Sequence, residues 1–160
     1  MWINNIRKER WIHKDCILEI NMEVESEKNE YYSVVIWTDA DKKIHIVGSL
    51  VYFEGKYYFK YEQTSLKKAR EKGFTDIGSF TDDNKLYISK NSLFDIFKRR
   101  VSKKVQETPE AMKELISKQG KSTVDAISIR EISKVYRPAI KAEIKRLEKD
   151  QKEKELVLQK

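Results

Sequence analysis

The chain has 160 residues, of which 33 are basic and 26 acidic, so its net charge is +7 at pH 7. This length suffices for one domain with its own core, and no apolar run approaches the roughly 20 residues that a membrane span needs. The charge is uneven, because residues 1–50 carry a net −2 and residues 51–160 a net +9. Such asymmetry suits an acidic protein surface or a nucleic acid as partner, although a lysine-rich surface that only maintains solubility has the same composition.

The single cysteine and the first 15 residues indicate where the protein resides. Cys16 has no second cysteine to pair with, which excludes an internal disulfide and favours a reducing compartment. Residues 1–15 lack the apolar segment of a signal peptide. These features predict a cytoplasmic protein that does not insert into a membrane.

Residues 1–15 predict a short basic N-terminal arm that contains Trp2 and Trp11. Tryptophans in such an arm either anchor it onto a folded body or are presented to a partner protein. We therefore treat both as candidate partner-binding residues.

Residues 16–61 predict a mainly antiparallel sheet. Cys16 to Glu25 alternates apolar and polar side chains, and Tyr31 to Thr38 is apolar enough for a central strand. Residues 47–61 predict a β-hairpin, whose tight turn uses the positive φ that Gly55 tolerates. The return strand alternates between two faces: Tyr57, Phe59 and Tyr61 on one, Lys56, Tyr58 and Lys60 on the other.

The two faces of this return strand have different expected roles. Aromatic residues with a period of two are typical of a half-buried strand, so we expect Phe59 and its neighbours to lie in the core. Tyr58 then lies on the other face, where it packs across the hairpin or contacts a partner.

After Tyr61 the period of the apolar residues changes from two to 3.6, which predicts helices. Capping residues mark where these helices begin and end. The predicted N-caps are Thr64 or Ser65, Asn91 or Ser92, and Thr108 followed by Pro109 at the first helical position; the predicted stops are Gly73 and Gly120. A short strand is expected at residues 86–88.

The last helix is predicted to begin at Ser128–Glu131, which matches the capping-box pattern S-x-x-E. Pro138 predicts a kink or break inside it. The apolar face of this helix is marked by Ile132, Val135 and Tyr136 and then by Ile140, Ile144 and Leu147. From Ile140 to Leu147 this face is only a narrow stripe, which suits a groove or another helix better than a core. We therefore predict an interaction surface there, for a partner protein or for a second copy of the chain.

The predicted fold is α+β, with helices packed largely on one face of an antiparallel sheet and a long C-terminal helix. The predicted organisation is an arm at residues 1–15, an α+β domain at 16–127 and a helical extension at 128–160.

No combination of residues predicts an enzyme, a metal site or a cofactor site. Gly120 to Thr123 resembles the end of a phosphate-binding loop, but the first glycine of that pattern is replaced by Leu115. His13 and Cys16 have the spacing of half a zinc site, and His45 is the only other histidine. We expect no catalytic residue, no metal and no cofactor.

A basic patch at the end of the second helix has two interpretations. Cations at a helix C-terminus complement the helix dipole, whereas a cluster of them also suits phosphate contacts. The patch consists of Lys98, Arg99, Arg100, Lys103 and Lys104.

The hairpin and the segments after it resemble the N-terminal domain of HipA-type serine/threonine kinases, the toxins of HipBA toxin–antitoxin modules. The family pattern combines a V-G-x-L strand, a G-x-Y-x-F-x-Y strand, an L-F-x-x-F-x-x-R helix and a later turn that contains glycine. The matching residues are Val47, Gly48, Leu50, Gly55, Tyr57, Phe59, Tyr61, Leu93, Phe94, Phe97, Arg100, Gly120 and Asp125.

The resemblance covers roughly residues 44–130, and two features depart from the family. The segment from Phe74 to Lys85 lacks the family's prolines, and the kinase domain that holds the catalytic residues is missing. The resemblance therefore implies a non-catalytic protein-binding module. It is similar to the small separate chain of three-part HipBST systems, which restrains a kinase encoded beside it.

Two functions follow as expectations. The first is an antitoxin-like regulator that binds a HipA-type kinase or another toxin–antitoxin component. The alternative is a small basic nucleic-acid-binding protein that uses the patch around Lys98. Salt dependence distinguishes them, because counterion release makes nucleic-acid affinity fall steeply with salt.

Overall fold

The computed structural model describes residues 29–122 and 125–158. The chain divides into two compact units, Met1–Glu30 and Tyr31–Lys160. The arm with Trp2 and Trp11 and the predicted strand from Cys16 to Glu25 lie outside the described residues.

The second unit has an α+β fold, as predicted, built on a five-stranded antiparallel sheet. The strands are β1 (Tyr31–Thr38), β2 (Ile44–Phe53), β3 (Lys56–Tyr61), β4 (Tyr87–Ser89) and β5 (Ile127–Glu131). Their order across the sheet is β4-β3-β2-β1-β5. The helices are α1 (Gln63–Glu71), α2 (Asp95–Lys98), α3 (Glu110–Ser117) and α4 (Arg137–Leu158), with a 3₁₀ turn at Lys134–Tyr136.

The β2–β3 hairpin has the predicted register. Leu50 pairs with Phe59, and Val51 pairs with Tyr58. Glu54 and Gly55 both have positive φ, 50° and 78°, as a two-residue hairpin turn of type I′ requires. The alternation of the two strands therefore assigns each side chain to the predicted face.

The face that carries Phe59, here called the front face, contains most of the core. Phe59 is fully buried and stacks on Phe80 with the ring centroids 4.4 Å apart. Helices α1, α2 and α3 cover this face through Leu66, Ala69, Phe97, Ala111, Met112 and Leu115. Three of the four helices thus pack on one face of the sheet.

None of the three short helices begins directly after its predicted N-cap residue. Helix α1 starts at Gln63, before Thr64 and Ser65, and its N-cap residue makes no side-chain capping bond. Helix α2 starts only at Asp95, so Asn91 and Ser92 lie outside it. At α3 the N-cap is Pro109, since the Thr108 hydroxyl donates to the Val105 carbonyl at 2.8 Å instead of capping the helix.

The predicted start of the last helix at Ser128–Glu131 is wrong, because these residues belong to β5. Ile127 and Ile129 point into the front-face core, and Ile129 pairs with Val35 of β1. Without β5, the hydrogen-bonding edge of β1 would be unpaired. The non-local pairing therefore overrides the local capping-box signal, and the predicted boundary between residues 127 and 128 falls inside this strand.

Helix α4 begins at Arg137, so Pro138 lies in its first turn rather than in its interior. A proline there loses no intrahelical hydrogen bond, which explains why the expected break becomes the helix start. Helix α4 packs against the opposite face of the sheet, here called the back face, which carries Val51 and Tyr58. Ile144 of this helix is only 1% exposed there.

Candidate interaction surfaces

The predicted partner-binding stripe on α4 is occupied by the protein's own sheet. Ile144 is buried in a cluster with Tyr58, Val51 and other back-face residues, and Ile140 and Leu147 pack partly buried against it. Tyr58 itself is 2% exposed. The prediction that Tyr58 and Ile144 are available to a partner is therefore corrected, because they attach α4 to the domain. Ile140 and Leu147 remain partly exposed, and their contact with a partner stays a prediction.

Polar contacts surround this apolar seam. Tyr58 donates its hydroxyl hydrogen to Glu148 at 3.0 Å, and Lys56 donates to the other carboxylate oxygen at 2.9 Å. The ammonium nitrogen of Lys60 lies 2.8 Å from a carboxylate oxygen of Glu143 and 2.8 Å from one of Glu62, so Lys60 forms two ion pairs. Helix α4 is thus held to β3 by a row of charged contacts spaced along the strand.

The ionisation of these groups reflects their burial and their partners. Burial alone would raise the pKa of Glu148, but hydrogen bonds from Lys56 and Tyr58 outweigh it and lower that pKa. Burial alone would lower the pKa of Lys60, but hydrogen bonds to Glu143 and Glu62 outweigh it and raise that pKa. Both groups therefore stay charged at neutral pH, and the row of contacts stays intact.

The predicted basic patch is only partly a surface. The Arg100 side chain is 5% exposed and forms an ion pair with Asp125. It also donates to the carbonyl of Gly120 at 2.7 Å and to that of Ile96 at 3.2 Å. Lys98 forms an ion pair with Glu107, with its ammonium nitrogen 2.5 Å from a carboxylate oxygen. The exposed cations that remain in the patch are Arg99, Lys103 and Lys104.

Residues that carry the family resemblance meet in space. Phe97, on the family-like helix, packs on Phe59 of the hairpin with the ring centroids 6.0 Å apart. Arg100, one turn later on the same segment, binds Gly120 and Asp125 across 20 and 25 residues of sequence. The three separate family-like segments therefore form one connected unit around the front-face core.

A different exposed surface follows strand β5, and the sequence reasoning missed it. Val135 is 80% exposed and Tyr136 61% exposed. Arg130 and Lys134 are exposed beside them in the chain. We call these four residues the β5 patch. The predicted helix from Ser128 placed Val135 and Tyr136 on its apolar face. The alternation of Ile127 and Ile129 was the signal that could have corrected this.

Other classes of site find no support in the described part of the chain. In residues 29–122 and 125–158 no three His, Cys, Asp or Glu side chains are grouped as a metal ion would need. None of the described helices is long and apolar enough to cross a membrane. Comparison with known proteins found no matching family model, no matching curated protein and no matching solved structure.

Proposed function

We propose that this protein is a non-catalytic, antitoxin-like regulator that binds a HipA-type serine/threonine kinase. The observation that carries the proposal is the connected unit formed by the family-like residues. Phe97 packs on Phe59, and Arg100 joins the same segment to Gly120 and Asp125, so the family-like segments contact one another.

The Arg100 contacts supply the most specific part of this support. An arginine at a helix end usually faces solvent. The Arg100 side chain is instead buried and donates to the carbonyls of Ile96 and Gly120, which lie in two separate segments. Buried charged groups need such partners to be tolerated. The arginine at the end of the family-like helix therefore has a structural role that requires Gly120 and Asp125 to lie where they do.

The same contacts weaken the nucleic-acid alternative. Two of the five cations in the basic patch, Lys98 and Arg100, are engaged with acidic side chains of the protein. Fewer phosphate contacts mean weaker binding and a shallower salt dependence. Protein binding is therefore the better-supported function, and the same experiment detects nucleic-acid binding.

The test is reconstitution with a HipA-type kinase encoded in the same genome. The two full-length proteins are co-expressed, purified through a tag on the kinase and examined by sedimentation at low and moderate salt. We expect a stable complex of defined stoichiometry at both salt concentrations, because a packed protein interface depends only weakly on salt.

A matched variant separates the two candidate functions. Replacing Lys103 and Lys104 by glutamate removes exposed charge without touching the buried Arg100 contacts. The complex with the kinase should survive this change. The proposal is wrong if no complex forms. The alternative gains support if the protein binds oligonucleotides, if this binding weakens steeply with salt, and if the double variant no longer binds them.

A further inference from the structure

The outer edge of β5 changes character along its length. The Thr38 N–H donates to the Ala126 carbonyl, and the Ile132 N–H donates to the Tyr32 carbonyl. The backbone N–H and C=O groups of the even-numbered residues in this segment therefore face β1. The backbone groups of the odd-numbered residues face outward. The first part of this edge is hydrogen-bonded, because the Ile129 N–H donates to the Gln119 carbonyl at 2.6 Å. The turn that follows α3 therefore protects only the beginning of this edge.

The end of the same edge is open. By the alternation of an antiparallel strand, the backbone N–H and C=O of Glu131 point away from β1. No other residue in the described ranges forms a hydrogen bond with either group. An unpaired strand edge is a template for another strand.

The β5 patch supplies chemistry for such an addition. Val135 and Tyr136 lie four and five residues after Glu131 and are among the most exposed large apolar side chains of the described residues. Arg130 and Lys134 are exposed and form no ion pair with any described residue. An added strand would thus meet backbone hydrogen-bonding groups, apolar contacts and two cations. The Glu131 carboxylate at this site accepts a hydrogen bond from Arg137 at 2.8 Å, which offsets its negative charge.

We propose that the open end of β5 is a docking site for an extended acidic segment of a partner protein, which adds to the sheet as a sixth strand. Charge complementarity decides the chemistry of the segment, since acidic side chains that alternate with apolar ones would pair with Arg130 and Lys134. Backbone pairing supplies affinity in this binding mode, and the alternating side chains supply specificity. As the contact surface for the kinase, this site rests on the proposed function; as a strand-binding site it does not.

The test uses two blocked eight-residue peptides, one alternating valine with glutamate and one alternating valine with lysine. Binding to the full-length ¹⁵N-labelled protein is followed by NMR. We expect the glutamate peptide to shift the amides of Glu131, Val135 and Tyr136 and to slow hydrogen exchange at Glu131. The lysine peptide should leave these amides unchanged.

Matched variants test the backbone and side-chain contributions separately. Glu131→Pro removes the outward N–H and should weaken peptide binding by about tenfold, whereas Glu131→Ala keeps the N–H and should stay close to wild type. Val135→Asp should weaken binding, whereas Val157→Asp, at a site 71% exposed near the end of α4, should not. Reversing the charge of both Arg130 and Lys134 to glutamate should exchange the preference between the two peptides.

The outcomes separate this site from the proposed function. Equal binding of the two peptides, binding at other amides, or no binding overturns the site even if the kinase complex forms. Shifts of the same amides with protein concentration alone also overturn it, because the occupant is then a second copy of the chain. Peptide binding without a kinase complex supports the site and contradicts the proposed function.

Discussion

Replacing Ile144 by alanine tests whether α4 belongs to the folded core. Ile144 is 1% exposed between α4 and the back face. The change removes three carbon atoms, which at about 0.8 kcal/mol each gives about 2.4 kcal/mol of lost transfer free energy, before any cavity contribution. We expect a loss of about 2–4 kcal/mol in the free energy of unfolding.

Urea unfolding followed by circular dichroism measures this loss. Leu156→Ala on the same helix is the control, since Leu156 is 61% exposed and its truncation should change stability by no more than about 0.5 kcal/mol. If the two variants lose equal stability, α4 is not anchored through Ile144. The prediction that the helical extension serves as an interaction surface would then be favoured again.

Three further predictions concern other contacts. Arg100→Ala should destabilise the protein by about 1–3 kcal/mol in the same assay, because it leaves the Gly120 carbonyl without its donor; a neutral result would contradict the structural role of Arg100. Burial raises the pKa of Tyr57 and of Tyr61 to about 12, so ultraviolet titration near pH 11 should show fewer ionised tyrosines in the folded protein than in the urea-unfolded one. Hydrogen bonds from His45 and from the backbone of Lys43 lower the pKa of Asp39. This contribution to stability is present above the unfolded pKa near 4 and is lost as pH falls below it, so Asp39→Asn should flatten the acid limb of the stability curve; an unchanged limb would refute the assignment.

The hairpin was predictable because its information is local. Strand alternation and the glycine at the turn lie within 15 consecutive residues, so the faces of Phe59 and Tyr58 follow from period and turn geometry alone. The burial of Phe59 was predictable for the same reason.

Strand β5 was hard to predict because the alternation of Ile127 and Ile129 is its only local signal. The position of α4 was not predictable because it depends on distant residues. Val35 and Ile129 are far apart in the sequence yet pair across the sheet, while Ser128–Glu131 has the pattern of a helix start. Tyr58 meets Glu148 across 90 residues. A narrow apolar stripe does not reveal whether its own sheet or another molecule covers it, so the role of Ile144 needed the structure.

The β5 patch was missed for a related reason. Once residues 128–136 were assigned to a helix, Val135 and Tyr136 continued its apolar face. The strand instead ends at Glu131, and the 3₁₀ turn that follows exposes both side chains. A correct assignment of β5 would have identified the exposed pair.

Growth of cells that carry the HipA-type kinase is the most direct measure of the proposed regulation. The kinase is induced alone, with the wild-type chain, or with an Arg100→Ala variant expressed at an equal level. We predict that the kinase alone arrests growth, that the wild-type chain restores it, and that the variant restores it less completely. Growth arrest that is unchanged by the wild-type chain, although the two proteins form a complex, would contradict an antitoxin-like function.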